Sequence, residues 1–382
     1  MENSFEVAKV DEETYIVNST ISRKFVKLGK RETNYLLSLV NMEPIACERE
    51  KDAPLTIEQC DILLKKYEEW GFINNKAIDA KRNISNFIIY SLSIKGKLEK
   101  LLKFIGHFVS PLGATTIIVT SILAFYYVNL NSSEIVSTLN QFKITLPTIV
   151  GIYIVNFSIA VMHEISHASA CYKYSGRVGK MGIKLFYLLP AFFCDVSDIY
   201  RVGNKRKSLY VASAGLLCNL LFGNISIITY SLILHVTGNS INILILIWGI
   251  NLINIVCNLF PFAKFDGYWI LKSISGIDNL YDKSICLFLA SFMDRKNYLK
   301  CSMSTWKKLF VRVYGMFVYL FHWILWACTA YGVFYMLNNK EWNYVGYIFA
   351  GIVIIVGIWD SIKYSKQYYT KYTNSMKNWI MR

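Results

Sequence analysis

The stretch that decides the reading is NFSIAVMHEISHASACYKYSG, residues 156–176. It is apolar enough for a lipid bilayer, yet it carries His163, Glu164 and His167. Ionisable side chains inside a membrane span cost about 2.5 kcal/mol or more on insertion scales unless they are satisfied, so they mark function by default. The pattern is HExxH. On a helix, positions i and i+4 share one face, so both imidazoles can reach one ion. A zinc ion suits two neutral imidazoles and one carboxylate, with an open position for water. Glu164, beside the first histidine, is placed to take a proton from that water as it attacks a carbonyl polarised by the metal. A shuffled chain of this composition, with its five histidines, would contain HExxH only about once in four hundred. The competing structural reading is two helix-packing histidines and a snorkelling glutamate.

The rest of the chain supports a membrane setting. Of 382 residues, 54% are hydrophobic and 18% charged, against about 25% charged in ordinary soluble domains. Mean hydropathy is +0.34. Disorder and a small disulfide scaffold are both excluded by this balance. Apolar segments at about 107–128, 147–170, 208–236, 240–262, 310–337 and 344–362 are each long enough to cross a hydrocarbon core of about 30 Å. The expected fold is therefore mainly α, a polytopic membrane protein with about six transmembrane helices. The stretch MGIKLFYLLPAFFCDVS (181–197) is broken by Pro190 and fits a re-entrant hairpin or a membrane-dipping strand pair. Such backbone survives at membrane depth only when protein or a wet cavity surrounds it.

The formal net charge is +15. In a soluble chain that would suggest nucleic acid, but no nucleic-acid motif accompanies it. In a membrane protein it marks the cytoplasmic loops. The basic residues cluster in 171–207, in 263–309 and after Asp360, whereas the loops 129–146, 237–239 and 338–343 hold just Lys143 and Lys340. This places every basic loop on one side of a six-span chain, with both termini cytoplasmic. The opening MENSFEVAKVDEE shows no secretory signal. Nine cysteines form no CxxC pair, which argues against a metal ribbon or a thioredoxin-like site.

Residues 1–80 read as a small α+β cytoplasmic domain. EETYIVNSTISRKFVKL has the composition of two short strands, and two or three helices follow, with Thr56 as an N-cap and Gln59 as its capping-box partner. The whole suggests a winged-helix-like unit. Residues 81–106 read as a basic amphipathic connector, suited to a membrane surface or to a plain linking helix. The transmembrane region covers 107–262 and includes the catalytic core (147–275). A cytoplasmic loop (263–309), two further spans (310–362) and a basic cytoplasmic tail (363–382) complete the chain.

A third metal ligand is needed. In NLFPFAKFDGYW (258–269) the obvious choice is Asp266, which follows a span expected to exit on the same side as His167. Pro261 would disturb the helix there, and Gly267 would allow close chain approach. An Asp-Gly pair after a membrane helix is otherwise read as a turn.

HExxH in one span with NxxPxxxxDG in a later one (Asn258, Pro261, Asp266, Gly267) resembles the site-2 protease family of intramembrane zinc metalloproteases. The resemblance implies a three-span core (147–170, 208–236, 240–262). It also implies one zinc ion held by His163, His167 and Asp266, with Glu164 as catalytic base. It implies a membrane-inserted β-hairpin at 181–197 that positions the substrate as an extended strand. SAGLLCN (213–219) resembles the family's Gly-x-x-x-Asn element through Gly215 and Asn219. Asn219 and Asn258 would then bind substrate backbone or order the site; interhelical hydrogen bonding, worth about 0.6 kcal/mol on average, is the plainer role. Residues 163–201 are also similar to the bacterial peptide zinc metalloprotease branch, whose C-[DN]-V-S-D string is matched by Cys194, Asp195 and Asp198. Members of that branch sit in gene clusters for modified peptides. The likeness covers roughly 145–275. The N-terminal unit more faintly resembles domains that hold leader peptides by strand addition.

These readings imply a multi-pass protein of a bacterial cell membrane, with a peptide or membrane-protein substrate, lipid as its surroundings and no nucleic-acid partner. Oligomeric state is left open. Two alternatives stand beside peptide maturation. One is a regulatory protease releasing a membrane-anchored factor, which the missing PDZ-like insertion argues against. The other is a non-enzymatic peptide-binding, export or immunity protein, which has no use for a base beside the metal.

Overall fold

The computed structural model describes residues 5–10, 13–19, 25–40, 56–73, 86–94, 97–106, 111–140, 145–294, 298, 303–337 and 343–371. The chain is mainly helical, with two small sheets.

At the N-terminus, β1 (Phe5–Lys9), β2 (Thr14–Ser19) and β3 (Phe25–Gly29) form an antiparallel meander. Two helices follow, α1 (Lys30–Leu39) and α2 (Ile57–Glu69). The expected two strands are thus three. β1 was hidden because FEVAK is short and flanked by acidic residues. Phe5, Val17, Leu28, Leu36, Tyr67 and Phe72 make a core of their own. The Thr56–Gln59 capping box is present in both directions, at 3.1 and 3.3 Å.

The connector differs from its helical reading. Asn86–Ser93 is a strand (β4), followed by a short helix α3 (Lys97–Ile105). β4 pairs antiparallel with β5 (Lys180–Phe186), which pairs in turn with β6 (Leu189–Cys194). NFIIYSLS is rich in β-branched and aromatic residues, and its partner lies some ninety residues further along the chain, beyond the reach of a local pattern. β5 and β6 form an antiparallel hairpin in the stretch read as 181–197. Its two-residue loop is Tyr187–Leu188, both at positive φ (50° and 66°).

Among the described residues, six helices are long and apolar enough to cross a membrane. They are α4 (Pro111–Leu130), α6 (Leu146–Ser175), α7 (Lys205–Thr237), α8 (Asn242–Leu259), α11 (Thr305–Leu337) and α12 (Asn343–Lys371). The chain therefore reads as a multi-pass membrane protein. α5 (Ser132–Asn140) occupies part of the 129–146 loop. The six match the expected segments, though several run further: α12 extends well past residue 362, to Lys371. The end of the basic tail lies outside the described residues.

α7 is the central helix, packed by α4, α6, α8 and the helix Asp266–Ser275. Small polar side chains stitch it in place: Asn224 Nδ2 donates to Ser121 Oγ at 2.9 Å, and Ser226 Oγ to the Leu244 carbonyl at 2.7 Å. Between lipid-facing helices such bonds take over from the hydrophobic effect, which cannot drive helices together in a lipid solvent.

The segment 263–309 is not merely a loop. It contains α9 (Asp266–Ser275) and α10 (Leu280–Met293). Leu280, Ile285 and Leu287 form a core with Val311 and Val318 of α11 and Tyr364 of α12. The lysines of this segment masked its apolar face from a reading based on charge.

Candidate metal site and substrate cavity

Three elements deliver the site. α6 starts on the Thr145 N-cap, whose hydroxyl accepts from the Thr148 amide, and ends on Gly176 in the left-handed conformation. Between these caps it carries His163 and His167 one turn apart, both 6% exposed. Asp266 is the first residue of α9, where the helix dipole favours a carboxylate. α8 has ended at Leu259, and the break at Pro261 turns the chain back over the end of that helix. Gly267 is required there: a Cβ would overlap the Leu259 carbonyl oxygen.

His163 Nε2 lies 3.0 Å from Asp266 Oδ2, and His167 Nε2 lies 3.2 Å from Asp266 Oδ1. The two Nε2 atoms are 3.2 Å apart. Among the described residues this is the group of His, Cys and carboxylate ligands that could hold a metal. His167 Nδ1 lies 2.7 Å from the Val211 carbonyl oxygen. A carbonyl can only accept, so Nδ1 holds a proton and Nε2 is the nitrogen left to bind an ion. Two imidazole nitrogens and a carboxylate at these distances are satisfied either by protons shared among them or by a metal cation. Zinc bonds of 2.0–2.2 Å to N and O ligands at tetrahedral angles put ligand atoms about 3.3 Å apart, close to the spacing found. The residues fit zinc.

Gly215 of α7 makes room for this arrangement. A Cβ there would collide with Nε2 of both His163 and His167. Asn219, one turn on, is 2% exposed, and its Nδ2 has no hydrogen-bond partner among the described residues.

The site opens into a cavity of about 1070 Å³. Glu164, Asn219 and Asn258 line it together with the three ligand residues. Asn258 Nδ2 donates to the Asn254 carbonyl of its own helix at 3.0 Å. Asn254 also reaches Asn156 of α6 at 3.2 Å. Cys194 lines the cavity too, but it packs beside Leu102 and Ala168 and lies outside the metal group. Asp195 and Asp198 are not brought to the site. Asp195 Oδ1 accepts from the Ser197 amide at 3.1 Å, and Asp198 lies 3.9 Å from Arg201. Both shape the 3-10 turn Ser197–Val202 that leads into α7.

The β5–β6 hairpin lies against the site. Phe192 packs on Phe157 of α6, with ring centres 4.9 Å apart, and Phe186 on Phe265, next to Asp266, at 5.3 Å. At its tip the Tyr187 hydroxyl lies 2.6 Å from His322 Nδ1 of α11. His322 Nε2 faces Asp360 Oδ2 of α12 at 3.8 Å, and Trp326 Nε1 donates to the same oxygen at 3.4 Å. This buried network was missed in the sequence, though a signal existed: His322 and Asp360 are ionisable residues inside apolar spans.

The N-terminal unit docks beside the cavity. Glu6 pairs with Arg177 at 2.9 Å and Arg201 at 2.7 Å. Phe25 packs on Tyr200, which lines the cavity. Burial pushes the Tyr200 hydroxyl well up, so it stays neutral and accepts from Lys272 Nζ at 3.1 Å.

Comparison with protein-family models, curated proteins and solved structures finds no match to the chain.

Proposed function

We propose that the protein is an intramembrane zinc metalloendopeptidase that cuts a membrane-associated precursor or leader peptide. One observation carries this: His163, His167 and Asp266 converge at ligand spacing inside a helix bundle apolar enough for a bilayer, with Glu164 on the same cavity. His163 and His167 would hold the ion through Nε2, and Asp266 through its carboxylate. Zinc bound there would supply Lewis-acid polarisation of the scissile carbonyl and of a water molecule. The chain's own residues do the rest. The Val211 carbonyl fixes the His167 tautomer. Glu164 accepts the proton of the attacking water and passes it to the leaving amine. Asn219, with its amide unpaired, is free to hold substrate backbone. β6 is an edge strand with cavity-lining residues, so an extended peptide can add to it. In this reading the strand dips into a cell membrane beside the cavity, and both chain termini are on the cytoplasmic side. The likeness of residues 163–201 to the peptide-maturation branch favours a small precursor over a regulatory factor.

The test is mass spectrometry of candidate precursor peptides after incubation with wild type and with Glu164→Gln. Wild type cleaves; the variant keeps its zinc and loses about 10²-fold or more of the rate, the usual share of a general base. Undiminished cleavage by Glu164→Gln would sink the mechanism.

A further inference from the structure

The cavity holds a charged group that neither the metal site nor the base uses. Lys184 of β5 reaches over two aromatic faces, with Nζ 5.7 Å from the Phe186 ring centre and 6.0 Å from that of Phe193. Residues 184 and 186 project from the same sheet face, and 193 joins them diagonally, because 184 pairs with 191. All three line the cavity. Among the described residues no carboxylate lies within ion-pair distance of Lys184. The charges that act on it are Glu164 and Lys264, both on the same cavity.

A half-buried ammonium with no carboxylate at ion-pair distance is unfavourable, and the more distant Glu164 and two ring faces offset only part of that. The cavity as a whole shows the same imbalance. Its carboxylates are Glu164 and Asp266, one the proposed base and the other a proposed ligand, against Lys184 and Lys264. A zinc dication would leave two positive charges in surplus. A peptide that brings a negative charge completes the cavity, and one that brings a positive charge is repelled.

We propose that Lys184 is a specificity-determining residue that pairs with an acidic side chain of the bound peptide, so that the substrates are peptides with Asp or Glu close to the cleaved bond. This rests on the metalloendopeptidase reading above. The aromatic faces hold the ammonium in place before the peptide arrives, which reduces the ordering cost of binding. An arriving carboxylate also favours the charged form of the lysine.

The experiment uses the full chain in detergent micelles and a random-sequence peptide library. In the first arm, immobilised Glu164→Gln protein retains peptides, which are then sequenced. Asp and Glu are expected to be enriched over Asn and Gln by about tenfold, equivalent to about 1.4 kcal/mol. Lys184→Gln added to that protein abolishes the enrichment, and Lys184→Glu turns it toward Lys and Arg. In the second arm, wild type cleaves the library, and the acidic preference falls at one position beside the cut. For a twin pair differing in Glu against Gln, Lys184→Gln raises KM for the acidic twin and leaves its kcat near wild type. Equal retention of acidic and amide peptides overturns the proposal, as does an acidic preference that survives Lys184→Glu. A fall in kcat on both twins alike also overturns it, by making Lys184 catalytic or structural. The binding arm needs no cleavage, so failure of the protease reading shows separately, as undiminished cutting by Glu164→Gln.

Discussion

The Tyr187 hydroxyl lies 2.6 Å from Nδ1 of His322, a bond between the tip of a β-hairpin and the interior of a helix. The tip is strained: Tyr187 and Leu188 both hold positive φ without being Gly or Asn, at a cost of roughly 1–2 kcal/mol each. Burial of the Tyr187 ring among Trp326, Ala330 and Val353 offsets that strain, and the bond to His322 fixes its direction. With the phenol donating to Nδ1, the imidazole keeps its own proton on Nε2, toward Asp360.

Tyr187→Phe keeps the ring and removes the hydroxyl. It leaves His322 Nδ1 buried without a partner, at a cost of about 1–3 kcal/mol. Thermal unfolding in detergent should begin several degrees lower. Because the hairpin lines the cavity, KM for any cleaved peptide should rise more than kcat falls. An unchanged melting curve would show that the tip is held by packing alone.

Asp266→Asn is nearly isosteric but replaces the carboxylate by a neutral amide, which is not among the usual zinc ligands. Metal analysis of purified protein should find about one zinc per wild-type chain and a clear deficit in the variant. Chelation of wild type should lower its melting temperature, because an ion that binds only the folded state stabilises it by mass action. Stoichiometric zinc in Asp266→Asn would remove Asp266 from the ligand set.

The spans and the candidate ligand residues were legible because both are written in one-dimensional spacing. Apolar length reveals a helix that can cross a bilayer, and the i, i+4 spacing reveals His163 and His167. Asp266 was legible through the break at Pro261 and the glycine after it. What spacing does not carry is pairing between distant segments. β4 takes its register from β5 (Tyr90 opposite Ile183), and nothing in NFIIYSLS names that partner. The His322–Asp360 contact joins two spans in the same way. The helices within 263–309 were obscured for another reason: their buried face is built from residues interleaved with lysines, and charge dominated the reading.

Docking of the N-terminal unit should depend on pH. Arg177, by its hydrogen bond, and Arg201 hold the Glu6 carboxyl below its ordinary 4.5, against an opposing effect of burial. A carboxyl with a depressed folded-state pKa contributes stability in full above the unfolded value, and loses it as pH falls through the folded one. The protection factor of Phe5–Lys9 amides against hydrogen exchange should therefore be high at neutral pH and fall below about pH 4.5. Both arginines are at least partly exposed, so the effect is modest and weakens with salt. Glu6→Gln should remove the pH dependence; a profile unchanged in that variant would assign it to another group.

Gly215→Ala sets local preference against the site. In a helix, alanine is favoured over glycine by about 1 kcal/mol, so on α7 alone the change would stabilise. Yet the added Cβ would collide with Nε2 of both His163 and His167. The imidazoles must turn or α7 must withdraw from α6, and either movement breaks the ligand spacing. The expected outcome is near-normal helix content by circular dichroism, a loss of bound zinc and a matching loss of any cleavage. A Cβ added at Gly223, a little over two turns further on, would meet Asn251 Cβ at 3.3 Å, so Gly223→Ala should perturb packing without touching the metal group. Zinc loss in Gly215→Ala but not in Gly223→Ala would identify the close approach at Gly215 as a requirement of the metal site. Equal loss in both would assign the effect to α7 packing.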